Sequence, residues 1–174
     1  MKKIEIPEFL IPDFRSNHAG EIGAVYIYKT AIICAISAKS RQMSKDHLKT
    51  EENHLQIIKD LVEKKYRSKL IPIWIMAAII LGFFGSIFGH RFFCLTIYGV
   101  ENFVKDHYQE QIDKLKNYNF KDLQNLIIKL RSEEIEHMQD GLQGNCKSDN
   151  FFAKLWIELV YKGSKKAVNI AKKY

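Results

Sequence analysis

Two stretches of this chain carry the same spaced set of acids and imidazoles. Glu21 precedes the Glu-x-x-His pair Glu51–His54, and Glu101 precedes a second such pair, Glu134–His137. The lone glutamates stand 80 residues apart and the paired ones 83. Residues three apart share one face of a helix, so each pair can aim a carboxylate and an imidazole at one object. The lone glutamates come level with the pairs if each half is an antiparallel helical hairpin turning near residue 36 or near residues 117–118. Both places are polar, Ser37-Ala-Lys-Ser-Arg-Gln-Met-Ser44 and Asn117-Tyr-Asn-Phe120. A bundle with one Glu from each of two helices and Glu-x-x-His from the other two presents the ligand set of a di-iron carboxylate site. Carboxylates bridge and neutralise divalent ions, and imidazoles are donors suited to iron. Four carboxylates also balance two ferrous ions, which makes burial tolerable. The bland reading, two surface acid–histidine pairs, leaves the matched registers without a reason.

The rest of the chain reads as helix. Only 9 Gly and 3 Pro occur in 174 residues, which disfavours a turn-rich sandwich or barrel. Periodicity and stop signals predict helices over about 13–38, with Asp13 as N-cap after Pro12, and about 44–66. A third, about 72–89, opens on Pro72, a residue suited to the first helical position. The others run over about 91–117, about 121–141, stopped by Gly141 and Gly144, and about 151–173, with Asn145–Asn150 as linker. The last carries Phe152, Leu155, Leu159 and Val160 on one expected face. The length suits one domain spanning residues 1–174. The 3 cysteines, Cys34, Cys94 and Cys146, are scattered and form no CxxC, so neither a disulfide framework nor a cysteine zinc site is expected, and a reducing compartment is. The start, MKKIEIPEFLIPDF, lacks the apolar core of a secretory signal and the Arg/Ser bias of a transit peptide, so the protein is expected to stay in the compartment that makes it.

The segment Leu70–Gly89 has no charge and, at ~1.5 Å per residue, could just cover ~30 Å of hydrocarbon. It is interrupted by Gly82, Gly85, Ser86 and Gly89, and no second such segment would return the chain. A helix lying in the membrane interface is therefore preferred to a buried core helix, and both to a span. The net charge of +7 is clustered: Lys64, Lys65, Arg67 and Lys69 precede the apolar segment, and Lys162, Lys165, Lys166, Lys172 and Lys173 crowd the end. Basic clusters beside apolar helices point to an anionic membrane surface. Nucleic acid is not expected as a partner, for want of an aromatic platform or a binding module.

Tyr108 falls seven residues after Glu101, on the same helix face; it is either a core residue or a hydrogen-bond donor or redox relay beside the metals. Ala19, Gly20, Gly23 and Ala24 around Glu21 allow a helix or a flat substrate to come close. His18 could support the site, His107 points away from it toward a supporting or surface position, His47 is expected at the surface, and His90 at the edge of the apolar segment.

The run Asn17-His-Ala-Gly-Glu-Ile-Gly-Ala24, with Glu51–His54, Val100-Glu-Asn-Phe-Val-Lys-Asp-His-Tyr108 and Glu133-Glu-Ile-Glu-His137, resembles the demethoxyubiquinone hydroxylases, from about Phe14 to the last helix. That resemblance implies an all-α, ferritin-like four-helix bundle with two additional helices forming an apolar, membrane-facing side. It implies two irons per chain held by Glu21, Glu51, His54, Glu101, Glu134 and His137, with Glu51 and Glu134 bridging, and Tyr108 in electron entry. The implied activity is an O2-dependent monooxygenase that hydroxylates the ring of a polyprenylated demethoxyubiquinol in ubiquinone biosynthesis, with NADH as reductant. A peripheral enzyme on the cytoplasmic face of the inner membrane, working with other ubiquinone-biosynthesis proteins, goes with it. Asn102 stands where the family has Glu and Met138 where it has a second His, which touches the tuning of the ligands. A ferritin-like iron-storage or peroxide-detoxifying protein is the alternative on the same scaffold.

Overall fold

The computed structural model describes residues 4–144 and 150–174. Cys146 and most of the expected Asn145–Asn150 linker lie outside the described residues. Six α-helices form the molecule and no strand occurs among the described residues: α1 (Ile11–Cys34), α2 (Ala38–Leu61), α3 (Ile71–Ile87), α4 (His90–Leu115), α5 (Lys121–Gln143) and α6 (Phe151–Ala171).

Helices α1 and α2 make one hairpin and α4 and α5 another, and α3 and α6 pack on the outside of α1 and α4. This explains the character of each helix. Helix α1 meets α2, α3 and α6 and is buried on several sides, whereas α2 and α5 keep a charged outer face. Two apolar layers stabilise the bundle. One joins Leu10, Phe14, Ile58, Ile112, Leu123 and Ile127; the other joins Ile27, Ala31, Ala78, Phe93, Ile97 and Val160. Along α1 and α4 the stretch holding Glu21 and Glu101 falls between these layers.

Helix α3 comes close to α1 because Gly82 lacks a side chain: a Cβ there would meet the Ile27 carbonyl oxygen at 2.6 Å. Gly89, at φ +94°, then turns the chain into α4, a conformation that suits glycine. Helix α3 has 17 residues, about 25 Å of length at ~1.5 Å per residue. No helix among the described residues is long and apolar enough to cross a membrane.

Several boundaries differ from those expected. The polar run Ser37–Ser44 is not a loop; α2 begins at Ala38, and Ser40 and Ser44 are buried, with Ser40 Oγ 3.1 Å from His90 Nδ1 and Ser44 donating to the Ser40 carbonyl. The turn is confined to Ala35–Ser37, so its centre stays near residue 36. Asp13 is no N-cap, since α1 starts at Ile11. It is buried in the first turn and pairs with Lys114 at 2.7 Å and Lys172 at 2.8 Å, joining α1, α4 and α6. Gly141 is a buried helical residue rather than a stop. Phe152, Leu155 and Leu159 of α6 are exposed, but Val160 is buried, packed where Gly99 has no Cβ.

Candidate metal centre

The six side chains singled out from their spacing converge. Glu21, Glu51, His54 and Glu134 form one group and Glu51, Glu101, Glu134 and His137 a second, and within each the ligand atoms lie within 4.8 Å of one another. All six are buried. Glu51 and Glu134 belong to both groups, so each can serve two ions at once. His54 Nδ1 lies 3.0 Å from Glu134 Oε1 and 3.8 Å from Glu21 Oε2; His137 Nδ1 lies 3.0 Å from Glu51 Oε1 and 3.5 Å from Glu134 Oε2.

Burial and mutual repulsion govern the charges here. Burial, then the Glu134 charge, pushes Glu21 up to about 7 and holds Glu51 and Glu101 well above the usual carboxylate range. Burial works against ionisation of Glu134 too, but the adjacent His137 and His54 imidazoles bring it down to about 2. His54 is raised to about 10: burial opposes this, and Glu134, Glu21 and Glu51 outweigh it.

Glu21 Oε2, Glu51 Oε1, Glu134 Oε2 and His137 Nδ1 are buried without a hydrogen-bond partner. A buried polar atom left unsatisfied costs about 1–3 kcal/mol. All four atoms are donors to metals and lie in the two groups, so divalent cations would satisfy what no protein group does. The residues therefore fit a pair of hard divalent ions.

Tyr108 is buried in the apolar layer of Leu10, Phe14 and Ile112 and donates to Glu21 Oε1 at 2.6 Å, so it is a core residue and a hydrogen-bond donor at once. Tyr28 was not anticipated. It lies seven residues after Glu21, as Tyr108 lies seven after Glu101, and donates to Glu101 Oε1 at 3.0 Å. Each tyrosine thus bonds the lone glutamate of the other hairpin. The shared offset of 80 residues was the signal for it. His47 is a correction: it is buried, not at the surface, because it lies four residues before Glu51 and seven before His54 on the inward face of α2. Glu133 had no signal. Its carboxylate reaches His54 Nε2 at 2.7 Å through packing of α5 on α2.

Of the other singled-out residues, His107 is buried, 3.1 Å from Ser16 Oγ, and His18 is buried with neither ring nitrogen hydrogen-bonded. Asn102 accepts from Lys105, and neither it nor Met138 belongs to the ligand groups.

A cavity of about 340 Å³ reaches the cluster from between α1, α3, α4 and α6. Its lining includes Glu21, Glu51, Glu101, Glu134 and Tyr108, all buried, together with Gly20, Gly23, Ala78, Leu81, Val104 and Ala167. A Cβ added at Gly20 or Gly23 would meet nothing within 4 Å, so these glycines leave open space beside Glu21 rather than a helix contact.

Residues 10–171 match the family model described as ubiquinone biosynthesis protein COQ7. A relative from Dictyostelium discoideum, named NADPH-dependent 3-demethoxyubiquinone 3-hydroxylase, mitochondrial, is 30% identical over 158 residues, 88% of this chain and 72% of its own. One from Caenorhabditis elegans, of the same name, is 27% identical over 91% of this chain and 87% of its own. The 3-demethoxyubiquinol 3-hydroxylase of Rhodospirillum rubrum is 29% identical over 86% of this chain and 72% of its own. With its paired Glu-x-x-His hairpins and a match over nearly its whole length, the chain belongs to the COQ7 family of ubiquinone biosynthesis proteins.

Proposed function

We propose that the protein hydroxylates the ring of a demethoxyubiquinol at a centre of two irons bound by Glu21, Glu51, His54, Glu101, Glu134 and His137. The observation that carries this reading is the junction of a largely apolar cavity with a buried carboxylate–imidazole cluster in which four metal-donor atoms lack a hydrogen-bond partner. The reaction consumes O2: one oxygen atom enters the ring C–H bond and the other leaves as water, with two electrons and two protons from a reductant. The iron pair would supply the reductive activation of O2.

The chain's own residues do the rest. The small side chains at Gly20, Gly23 and Ala24 admit a flat ring beside Glu21, and the apolar walls on α3 and α6 suit a polyprenyl tail and keep water away. Tyr108 lines the cavity and holds Glu21, so it can carry a hydrogen bond between substrate and ligand shell. Electrons come from a reduced nicotinamide, NADH on the resemblance and NADPH by the names of the mitochondrial relatives. The exposed apolar residues of α3 and α6, the two helices that also line the cavity, include Met76, Ile80, Phe84, Phe152, Leu155 and Leu159, and they dock on a membrane that holds the substrate.

The test is turnover of a short-tailed demethoxyubiquinol by iron-loaded protein under O2, with NADH and NADPH supplied in parallel. Formation of the hydroxylated quinol supports the reading. Iron-loaded protein that binds the quinol without converting it refutes the reading, and mineral uptake in its place would return the iron-storage alternative.

A further inference from the structure

Tyr28 and Tyr108 are counterparts in the two halves, yet their surroundings differ. Tyr108 lines the cavity, whereas Tyr28 is enclosed among Ile27, Phe93 and Ile97. Behind the Tyr28 oxygen stands His47, with Nδ1 at 3.0 Å, and His47 Nε2 lies 3.0 Å from Asp140 Oδ2 on α5. The Asp140 side chain is 55% exposed. Three contacts of 3.0 Å therefore run from solvent through His47 and Tyr28 to Glu101. The His47 ring also stacks on His137, with centroids 4.0 Å apart and planes at 14°.

One imidazole thus steadies Glu101, through Tyr28, and His137 directly. These are the two residues that belong only to the second ligand group. The first group is built differently: Glu133 bonds His54 and Tyr108 bonds Glu21, with no imidazole between them. Groups behind metal ligands fix ligand orientation, and replacing them typically costs about 10–100-fold in metal affinity. Freed from Tyr28, Glu101 would have to be ordered by the metal itself, losing side-chain freedom on binding.

We propose that His47, clamped from the surface by Asp140, is a positioning residue that fixes Tyr28 on Glu101 and the ring of His137, and so sets metal affinity in the Glu101–His137 half of the centre alone. This rests on reading the cluster as a two-metal centre, and the experiment separates the two claims. Ferrous ion is titrated anaerobically into wild type, His47→Leu, His47→Asn, Asp140→Asn and Glu133→Gln, with bound iron counted and each iron resolved by its Mössbauer signal.

Wild type takes up two irons. His47→Leu keeps one at wild-type affinity and binds the other about 10–100-fold more weakly. His47→Asn, whose amide nitrogen can stand where Nδ1 stands, recovers most of that loss. Asp140→Asn weakens the same iron by a smaller factor, and Glu133→Gln weakens the other one. Folded His47→Leu that binds both irons normally, or loses both alike, overturns the proposal. Should His47→Leu fail to fold, Asp140→Asn decides: unchanged affinities and signals overturn the proposal. A wild type that takes up no iron overturns the two-metal reading, and this one with it.

Discussion

At Glu51 and Glu134 burial and metal binding pull in opposite directions. Four buried carboxylates share a small volume, and three of them are held toward the protonated form. Glu51→Gln removes an acid that burial and the Glu134 charge already disfavour in its ionised form. It should stabilise the metal-free protein by about 1–2 kcal/mol while lowering iron affinity at least about 100-fold, more than loss of an outer group would. Thermal melts and iron counts on the same sample check both signs; a variant that loses stability without losing iron contradicts the assignment. The six candidate ligands were legible because their spacing on helices is a local property. Tyr28 was equally legible through its seven-residue distance from Glu21, whereas Glu133 and Asp140 act across helices and leave no mark in spacing.

Among the elements, glycines have opposite roles according to what faces them. Gly23 faces open cavity, so Gly23→Ala should stabilise the protein by about 1 kcal/mol through helix propensity. Gly23→Leu should also fold and bind iron, yet lose quinol binding. Gly82 faces the α1 backbone, so Gly82→Ala must push α3 off α1 and should cost about 1–3 kcal/mol. Urea denaturation of the three variants, with quinol titration of the second, decides this. Asp13 ties α1 to α4 and α6. Burial disfavours its charge, but Lys114 and Lys172 outweigh this and hold its carboxyl below the usual range. The tie is fully present above the unfolded carboxyl value of about 3.9 and fades as pH falls through the lower folded one. Asp13→Asn should cost about 2 kcal/mol at neutral pH, less than the ~3–5 kcal/mol of a fully buried pair because Lys114 is half exposed. The difference from wild type should vanish in strong acid. The hairpin registers were readable from polar turns, but Ser40 and Ser44 look like loop residues until Ser40 is seen against His90 of α4 and Ser44 bonded back to the Ser40 carbonyl within α2. Asp13 likewise reads as a cap until its lysines, about a hundred or more residues away in sequence, are seen beside it.

For the molecule as a whole, basic charge and apolar surface divide differently from the sequence clusters. Arg67 is committed to the Val62 and Lys59 carbonyls and Lys172 to Asp13, so neither is free to meet lipid. Lys64, Lys65 and Lys69 are exposed. Neutralising those three should weaken binding to anionic vesicles by about 1 kcal/mol each in flotation assays, whereas Arg67→Gln should act through stability instead. Replacing Phe152, Leu155 and Leu159 by Ser should weaken binding to neutral vesicles as well, where the basic residues contribute little. Underneath both surfaces lies the claim that four helices bring six side chains around a pair of metal ions. Anomalous diffraction at the iron edge, on crystals soaked anaerobically with ferrous ion, tests it most directly. Two peaks about 3.5–4 Å apart, between Glu51 and Glu134, are the predicted result. A single peak outside the bundle, or none with the six side chains in place, would contradict it.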